Sequence, residues 1–355
     1  MIKSLQFWRD ILRRKLGILL FDRSPSAISS SNGATVFVRW DAKLGDAIVS
    51  SWVAREIKNK FPNRKVYVIT TSTMAPLFRD FFNFDCVFEI PKRAGYMELR
   101  KLANEMGDVD YLVHFSQKMK MKDLYFISKV GSKNVAGLDD ELDCINIKLG
   151  QKTAGMYFAK KFKVLLEHMG IANPDTSYIV PSFKDSEDRV GSWWPRNKTL
   201  CFNPYGSGTS RCFSIEKTIE LVNTMLDSSD YNICLLYPPG REKDIKYIMS
   251  RVCEPTRVVI DHQSPSLAAL FAQVRHCAGM VSVDTATVHI ATGLSKPVLG
   301  IYNDNFGMPE NVEWHPNNPR SSVIYAETRS AQQDVNFINV AEFKKVFEKW
   351  VADYL

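Results

Sequence analysis

Two kinds of hydrophobic pattern alternate along the chain. Short runs rich in β-branched and aromatic residues predict strands, and stretches in which apolar residues recur every three or four positions predict helices. In the first half the predicted strands are 34–39, 65–71, 86–90, 110–115 and 134–137. The predicted helices there are 46–60, 97–105, 124–129 and 154–168. This alternation favours a parallel sheet covered on both faces by helices.

The alternation weakens over residues 173–197, where three prolines and a polar run predict an interdomain connection. A second series then follows, with helices between its members. Its predicted strands are 199–203, 232–237, 257–260, 279–283 and 297–302. We therefore expect two α/β halves, residues 34–180 and 198–338, joined near residue 185. A last helix, within 339–355, is a candidate to pack across the junction.

The first 23 residues carry a different pattern. Apolar residues recur at helical spacing and are accompanied by several basic side chains. Residues 1–23 therefore predict a basic amphipathic helix, which suits an anionic membrane surface, a docking groove or the surface of its own domain. The polar segment 24–33 then predicts a flexible linker.

Composition places the chain among ordinary globular proteins. Its 355 residues suit about two domains, and 45% hydrophobic with 24% charged residues excludes disorder over most of the length. Lys and Arg number 46 against 39 Asp and Glu, a net charge of +7. This excess favours anionic partners without choosing among them.

The seven cysteines are scattered and include no C-x-x-C pair, which predicts free thiols in a reducing compartment. We find no uninterrupted stretch of about 18 apolar residues and no secretory signal pattern. The sequence therefore predicts a cytoplasmic location.

The first candidate loop joins strand 34–39 to the following helix. It reads Arg39-Trp-Asp-Ala-Lys-Leu-Gly45-Asp46. Gly45 permits a tight turn, and Asp46 would lie near the positive end of the helix. Ligands of open parallel sheets bind beyond the carboxyl ends of the strands. Asp46 is therefore either a functional carboxylate or only the N-cap of its helix.

The second candidate loop follows the strand at 199–203 and combines glycines, hydroxyls and an arginine ahead of a helix. Its residues of interest are Gly206, Ser207, Gly208, Thr209 and Arg211. Backbone N–H groups and a fixed cation at a helix start suit a phosphate. The loop matches neither the Walker pattern nor G-x-G-x-x-G, and an ordinary surface loop is the alternative.

Two further strand ends carry carboxylates. Glu242, after Pro238-Pro-Gly240-Arg, suits the hydroxyls of a ribose, or else only begins a solvated helix. Asp284 opens the run Asp284-Thr285-Ala286-Thr287-Val288-His289, where a helix start would hold a diphosphate or a sugar hydroxyl. His289 falls one turn into that helix, and a histidine packed in the core is the alternative.

Other chemistries find little support. The histidines show no zinc spacing, so we expect no metal, and the G-x-S-x-G nucleophile elbow is absent. A basic cluster that includes Lys118 and Lys120 follows strands of the first half and would form either an acceptor-side wall or a solvated face. Aromatic residues are not interleaved with it, so we expect no nucleic-acid partner.

Four short motifs, each at a predicted strand end, resemble those of glycosyltransferase family 9, the bacterial heptosyltransferases of lipopolysaccharide core assembly. They are Gly45-Asp46, Arg211-x-Phe213, Gly240-x-Glu242 and Asp284-Thr285-x-x-x-His289. The likeness covers roughly residues 34–350. It implies the GT-B fold, in which two Rossmann-like domains face each other across a cleft. The N-terminal domain would bind the acceptor and the C-terminal domain the nucleotide sugar.

The resemblance further implies an inverting transfer from ADP-L-glycero-D-manno-heptose to a lipid-anchored lipopolysaccharide core, without a metal or cofactor. Asp46 matches the aspartate of the family's Gly-Asp motif and would be the general base for the acceptor hydroxyl. The implied acceptor contacts are Arg39, Lys118 and Lys120.

On the donor side, the resemblance assigns the diphosphate to Arg211, which stands where the family usually has lysine, aided by Thr209 and by the helix that starts at Thr285. Glu242 would hold the adenosine ribose and Asp284 the heptose hydroxyls. The remaining implied donor contacts are Gly206, Ser207, Gly208, Ala286 and His289.

The chain departs from the family pattern in a few places. One extra residue stands between Arg39 and Gly45, Phe213 replaces a common tryptophan, and Ala286 replaces a glycine, which narrows the approach of the backbone to a phosphate. The N-terminal basic helix is additional, and it suits an enzyme that is peripheral on the inner face of the bacterial inner membrane. The alternatives are a transferase of another nucleotide sugar, a nucleotide-sugar epimerase and a peripheral membrane binding protein.

Overall fold

The computed structural model describes residues 2–25, 33–263, 265–304, 310–329 and 332–355, with side chains from residue 8 onward and, in the helix at 310–313, from residue 312. Most of the predicted linker, residues 26–32, lies outside this part. The chain divides into two compact units, which meet in the sequence between Ser177 and Tyr178, ahead of the predicted junction near residue 185.

Within its described residues, the first unit contains one parallel sheet of six strands. Its strands are β1 (Ala34–Val38), β2 (Val66–Thr70), β3 (Cys86–Glu89), β4 (Val109–His114), β5 (Asn134–Gly137) and β6 (Ile147–Lys148). Their order across the sheet is β3-β2-β1-β4-β5-β6. This is the order of nucleotide-binding α/β folds, and every residue of the central strand β1 is buried.

Among the residues that the structure describes, seven α-helices accompany this sheet. They are α1 (Ile2–Phe21), α2 (Leu44–Val49), α3 (Val53–Lys60), α4 (Ala75–Asp80), α5 (Tyr96–Glu105), α6 (Met121–Val130) and α7 (Phe158–His168). The single helix predicted over 46–60 is wrong, because α2 and α3 are separate. The Ser50 hydroxyl donates to the carbonyls of Asp46 and Ala47 at 3.0 and 3.2 Å. A side chain that takes helix carbonyls in this way competes with the backbone amides that would continue the helix.

The second unit repeats the same topology. The strands of its main sheet are β7 (Thr199–Asn203), β8 (Asn232–Leu235), β9 (Val258–Val259), β10 (Gly279–Val283), β11 (Val298–Asn303) and β12 (Ser321–Ala326). They are parallel and run in the order β12-β11-β10-β7-β8-β9, which is again the Rossmann order when counted from β7. Two further short strands, β13 (Thr328–Arg329) and β14 (Gln332–Gln333), form a separate antiparallel pair. Strands β6, β12, β13 and β14 were not predicted from the sequence.

The helices of the second unit include one where the sequence predicted only a connection. They are α8 (Lys184–Trp193), α9 (Ile215–Asp227), α10 (Glu242–Met249), α11 (Leu267–His276), α12 (Ala286–Gly293), α13 (Glu310–Glu313) and α14 (Val340–Tyr354). The last helix buries Phe343, Phe347 and Trp350 in the core of the second unit.

All seven cysteines carry free thiols, and Cys144, Cys201, Cys234 and Cys277 are buried. Within the described ranges, each helix falls short of the length or the apolar character needed to cross a bilayer.

Candidate active site

The loop after β7 folds back on itself at a glycine that no other residue could replace without a shift. A Cβ on Gly206 would lie 2.6 Å from the carbonyl oxygen of Arg211. Tyr205 and Cys212 form an antiparallel bridge across the base of the loop. Gly208 has φ = +103°, which L side chains rarely adopt. The loop therefore brings its backbone and the Arg211 side chain to one compact corner at the carboxyl end of β7.

An ion pair joins this loop to the turn after β10. Nη1 of Arg211 lies 2.9 Å from Oδ2 of Asp284, and the Arg211 side chain stays 45% exposed while that of Asp284 is 18% exposed. Because β10 is the neighbour of β7, the two carboxyl ends adjoin. Thr285 is the extended N-cap residue of α12, and Ala286 is the first helical residue. A half-exposed cation and a helix start thus lie at the same edge.

A buried hydrogen-bond network holds these two segments together. The amide of Asn203 donates to Oγ1 of Thr287 at 3.0 Å, and that hydroxyl lies 2.7 Å from Oγ of Ser282. Oδ1 of Asn203 accepts the backbone N–H of Tyr205 at 3.2 Å. The end of β7, the end of β10 and the first turn of α12 are therefore fixed relative to one another.

Asn303, at the end of β11, is a residue that the sequence analysis missed. Its amide nitrogen donates to the carbonyl of Ser210 at 3.0 Å, so it supports the glycine loop from the far side of β10. Its Oδ1 is buried and has no hydrogen-bond partner among the described residues. The available signal was its position as the first polar residue after an apolar strand, the rule that identified the other loops.

Glu242 occupies the neighbouring position after β8. It is the first residue of α10, and its Oε1 accepts the backbone N–H of Gly240 at 3.1 Å. Hydrogen bonds from its own backbone amide and from that of Gly240 lower the pKa of the carboxyl. The guanidinium of Arg241 lies 5.5 Å from the ring centroid of Tyr205, which connects this turn to the glycine loop. Glu242 therefore begins a solvated helix and at the same time presents a carboxylate where a ribose contact was predicted.

His289 is placed as a core residue. It is 4% exposed, its Nδ1 has no hydrogen-bond partner among the described residues, and its ring lies edge-on to Trp314 at 5.9 Å. Burial lowers the pKa of His289 to about 4, so its ring is neutral near pH 7. This geometry fits the alternative of a packed histidine better than a direct donor contact.

In the first unit Asp46 is the third residue of α2, and the N-cap residue is Lys43. The N-cap position given as the alternative for Asp46 is therefore wrong, although its side chain does cap: Oδ2 accepts the backbone N–H of Lys43 at 2.9 Å. Asp46 is half-buried. It presents a carboxylate at the start of a helix that follows the central strand of the sheet.

Arg39 lies beneath Asp46. The residue is 6% exposed, and its Nη2 donates to the main-chain carbonyl of Asp46 at 2.9 Å. The guanidinium lies 5.7 and 5.6 Å from the ring centroids of Phe158 and Phe162. The structure thus places Arg39 as a support for the Asp46 turn.

Lys118 and Lys120 are exposed and follow β4, the strand next to β1. Asp123 holds this loop, because it accepts the backbone N–H of Lys120 at 2.6 Å and contacts Nε2 of His114 at 3.2 Å. Burial by itself would raise the pKa of Asp123, but the hydrogen bonds and charges of these partners outweigh it and lower the pKa. Trp40 packs edge-on to His114 at 5.3 Å, which joins the Asp46 loop to the lysine loop.

A cavity of about 430 Å³ opens beside Lys118, past the carboxyl ends of β4, β5 and β6. Its lining residues are Arg14, Gln117, Lys118, Leu138, Asp139, Asp140, Glu141, Gly150, Gln151 and Ala154. It combines cations, carboxylates and amides, which suits a polar ligand.

Among the described residues, a set of side chains close enough to share a metal ion consists of Asp227, Cys253 and Glu254, all exposed. They precede β8 and β9 and so lie at the edge of the sheet opposite the glycine loop. They take no part in the arrangement described above.

The two edges offer complementary chemistry. The second unit carries a guanidinium, a helix start and the backbone of a glycine loop, which together suit a diphosphate. The first unit carries a half-buried carboxylate, which suits proton removal from a hydroxyl. Each set was identified in the sequence, whereas the pairing of Arg211 with Asp284 and the burial of Arg39 were not.

Comparison with known proteins gives one consistent result. The family model described as glycosyltransferase family 9 (heptosyltransferase) matches residues 149–342, more than half of the chain. A protein of Escherichia coli K12 described as putative lipopolysaccharide heptosyltransferase 4 is 22% identical over 344 residues, which cover 92% of this chain and 88% of that protein.

Solved structures share the architecture. The glycosyltransferase family 9 protein of Veillonella parvula matches with a TM-score of 0.69 at 14% identity, over 92% of this chain and 100% of that one. The E. coli heptosyltransferase WaaC with ADP matches with a TM-score of 0.63 at 14% identity, over 89% and 99%. The predicted GT-B fold class is confirmed.

Proposed function

This chain belongs to glycosyltransferase family 9, the heptosyltransferases, and from that premise we propose that it transfers heptose from ADP-L-glycero-D-manno-heptose to the inner core of lipopolysaccharide. The observation that carries the proposal is the pair of Arg211 and Asp284 at 2.9 Å beside the glycine loop. Arg211 offers a cation that suits a diphosphate, and Asp284 offers a carboxylate that suits sugar hydroxyls, and the two groups are close enough to share a hydrogen bond.

On the donor side, Arg211 binds the diphosphate together with the N–H groups of the Gly206–Gly208 backbone and of the α12 start. The guanidinium offsets the charge that develops as ADP departs, which is the main electrostatic demand of the reaction. The carboxylate of Glu242 accepts hydrogen bonds from the ribose hydroxyls, and that of Asp284 accepts hydrogen bonds from the heptose hydroxyls. The WaaC relative, whose structure holds ADP, supports an adenine nucleotide as the donor's carrier.

On the acceptor side, Asp46 takes the proton of the acceptor hydroxyl. The hydroxyl oxygen forms a bond to the anomeric carbon while the bond from that carbon to the diphosphate oxygen breaks, and ADP leaves on the opposite face. One such displacement inverts the configuration and needs one carboxylate. Arg39 positions Asp46 through the hydrogen bond of 2.9 Å that its Nη2 donates to the main-chain carbonyl of Asp46. Lys118 and Lys120 add positive charge for an acidic, lipid-anchored acceptor.

The reaction is proposed to run without a metal ion, since Arg211 and the helix start supply the positive charge that the leaving diphosphate requires. The place of action is the inner face of the bacterial inner membrane, where the enzyme is cytoplasmic and peripheral. The basic helix α1 supports this location. Nucleic acid is not among the proposed partners.

The proposal is tested first by nucleotide binding. Thermal unfolding of the purified chain is followed with ADP, UDP, GDP and CMP, each with and without EDTA. We expect selective, EDTA-insensitive stabilisation by ADP, about 2.7 kcal/mol at a hundred times the Kd. Arg211→Ala should weaken ADP binding about tenfold or more. The matched control is Arg251→Ala, an exposed arginine that precedes β9 at the opposite edge.

The outcomes separate the remaining alternatives. Stronger stabilisation by UDP or GDP would keep the transferase and overturn the ADP-sugar donor. No response to any nucleotide, or equal losses in Arg211→Ala and Arg251→Ala, would overturn the donor site. Membership of a transferase family sets aside the epimerase and the binding protein.

A further inference from the structure

Helix α1 exposes a continuous apolar stripe. Five large apolar side chains are between 45% and 79% exposed, and they are Trp8, Leu12, Leu16, Leu19 and Leu20. At about 100° per residue they fall within an arc of about 120° on one side of the helix. Isolated exposed leucines are ordinary, but a run of this length on one face marks an interaction surface.

The stripe is exposed although the helix itself is firmly docked. Arg14 is buried and makes a two-pronged contact with Asp139, Nη1 to Oδ2 at 2.7 Å and Nη2 to Oδ1 at 3.0 Å. A Cβ on Gly17 would lie 2.9 Å from Cα of Met121 in α6, so the two helices touch at this glycine. One face of α1 thus packs on its own domain, the third of the three sequence alternatives, and the apolar stripe lies on the opposite face.

Positive charge borders the stripe. On the helical wheel Lys15 lies at one edge and Arg13 at the other, while Arg9 lies between Leu16 and Leu20, and all three cations are exposed. The only acidic residue among the described side chains of α1 is Asp10, 3.7 Å from Arg9. The buried charge of Arg14 is matched by Asp139 and Glu141. The outward face therefore combines large apolar side chains with a net positive rim.

We infer that this outward face of α1 is a docking surface for an anionic lipid bilayer, with the leucines and Trp8 inserted at the level of the acyl chains and the three cations at the lipid phosphates. A helix that lies flat in the membrane interface has this distribution of residues. A second copy of the chain fits less well, because a two-fold contact through the same face would bring the cationic rims together.

The surface connects directly to the acceptor side. Arg14, on the inner face of α1, also lines the cavity of about 430 Å³ beside Lys118. Helix α1 and the cavity wall therefore share a residue and belong to the same compact unit. This part of the inference rests on the proposed function, since it is a lipid-anchored acceptor that gains from an enzyme held at the membrane surface.

The test measures partitioning of the full chain onto vesicles by flotation. We expect binding to vesicles of phosphatidylethanolamine with phosphatidylglycerol, little binding to neutral phosphatidylcholine, and a decrease when salt is raised to 0.5 M. Leu12→Gln with Leu19→Gln should reduce partitioning at least tenfold, because each substitution removes an apolar side chain that would be buried among the acyl chains. Arg13→Glu with Lys15→Glu should reduce binding to the anionic vesicles to the level of the neutral ones.

Matched controls are available on the second unit. Leu267→Gln changes an exposed leucine there, and Lys345→Glu with Lys349→Glu reverses two exposed lysines on α14, so neither should alter partitioning. ADP binding is measured on every variant and should be unchanged, which separates failure of this inference from failure of the proposed function. Equal binding by wild type and stripe variants would overturn the inference. So would a monomer–dimer equilibrium, seen by sedimentation, that the stripe variants abolish while lipid binding is absent.

Discussion

Arg39 donates from Nη2 to the main-chain carbonyl of Asp46 at 2.9 Å, seven positions further along the chain. The bond runs from a buried guanidinium at the end of the central strand to the first turn of α2. It places the cation under the proposed base instead of in solvent, where a direct acceptor contact would need it. In the proposed mechanism Asp46 is the base, and Arg39 is the residue that supports its turn.

This relationship predicts a specific kinetic signature. Arg39→Ala should lower kcat about 10–100-fold, because a small displacement of the base is enough for such a loss, while KM for the acceptor changes little. Arg39→Lys should recover part of the rate. ADP binding serves as the control for folding of the second unit. A raised acceptor KM with unchanged kcat would instead return Arg39 to the role of acceptor contact that the sequence implied.

The pair of Arg211 and Asp284 predicts opposite effects on nucleotide and sugar. Because Asp284 is paired with the guanidinium of Arg211, its carboxylate competes with a diphosphate for that cation. Asp284→Asn should therefore leave ADP binding unchanged or tighten it a few-fold. KM for the nucleotide sugar should rise, because one of the two carboxylate oxygens that accept hydrogen bonds from the heptose hydroxyls is replaced by an NH2 group. Calorimetry with ADP and steady-state kinetics measure the two effects. Parallel weakening of both would show that Asp284 acts only by holding Arg211.

The backbone of the glycine loop predicts a steric effect at Gly206. Gly206→Ala would place a methyl group 2.6 Å from the Arg211 carbonyl oxygen, so the loop must open and ADP affinity should fall about tenfold or more. Gly191→Ala is the control in the same unit. Gly191 lies in helix α8, and a Cβ there would meet the His276 side chain at an ordinary distance of 3.4 Å. If both variants bind ADP like the wild type, the loop does not form the diphosphate site.

His289 predicts a pH dependence of stability. Its folded-state pKa is about 4 against an ordinary 6.5, so between these values the unfolded chain binds a proton that the folded chain does not. The free energy of unfolding should therefore fall as the pH is lowered from about 7 to 4, by up to about 3 kcal/mol from this group. Thermal unfolding of His289→Gln should show a shallower pH slope than the wild type. His262→Gln, at an exposed histidine, should keep the wild-type slope.

The pattern of the sequence predicts most of the two sheets because their strands are buried on both faces. β5, β7 and β10 begin and end where the apolar runs do. β6 escapes because it has two residues, and β12 because its sequence SSVIYA begins with two serines and is only partly buried at the sheet edge. The split between α2 and α3 depends on a hydroxyl that bonds backwards, which hydrophobic spacing does not record.

For the site, the sequence identifies the loops but not their contacts. Parallel strands bring their carboxyl ends to one edge, so the turns that carry Glu242, Arg211 and Asp284 could be grouped in advance. The ion pair of Arg211, the burial of Arg39 and the support from Asn303 depend on side-chain directions between strands that are distant in the chain. Ala286, which departs from the family motif, is still the first residue of α12, as the sequence pattern indicated.

The central claim is transfer of heptose with Asp46 as the base, and it is tested most directly by incubating the chain with ADP-heptose and a lipid-anchored inner-core acceptor. We predict one heptose added per ADP released, with inverted anomeric configuration by NMR. Asp46→Asn should lose about 100-fold or more in kcat, with ADP binding intact, whereas Asp41→Asn, an exposed carboxylate of the same loop, should remain active. Wild type that binds ADP yet transfers no heptose, or Asp46→Asn with undiminished kcat, would contradict the account.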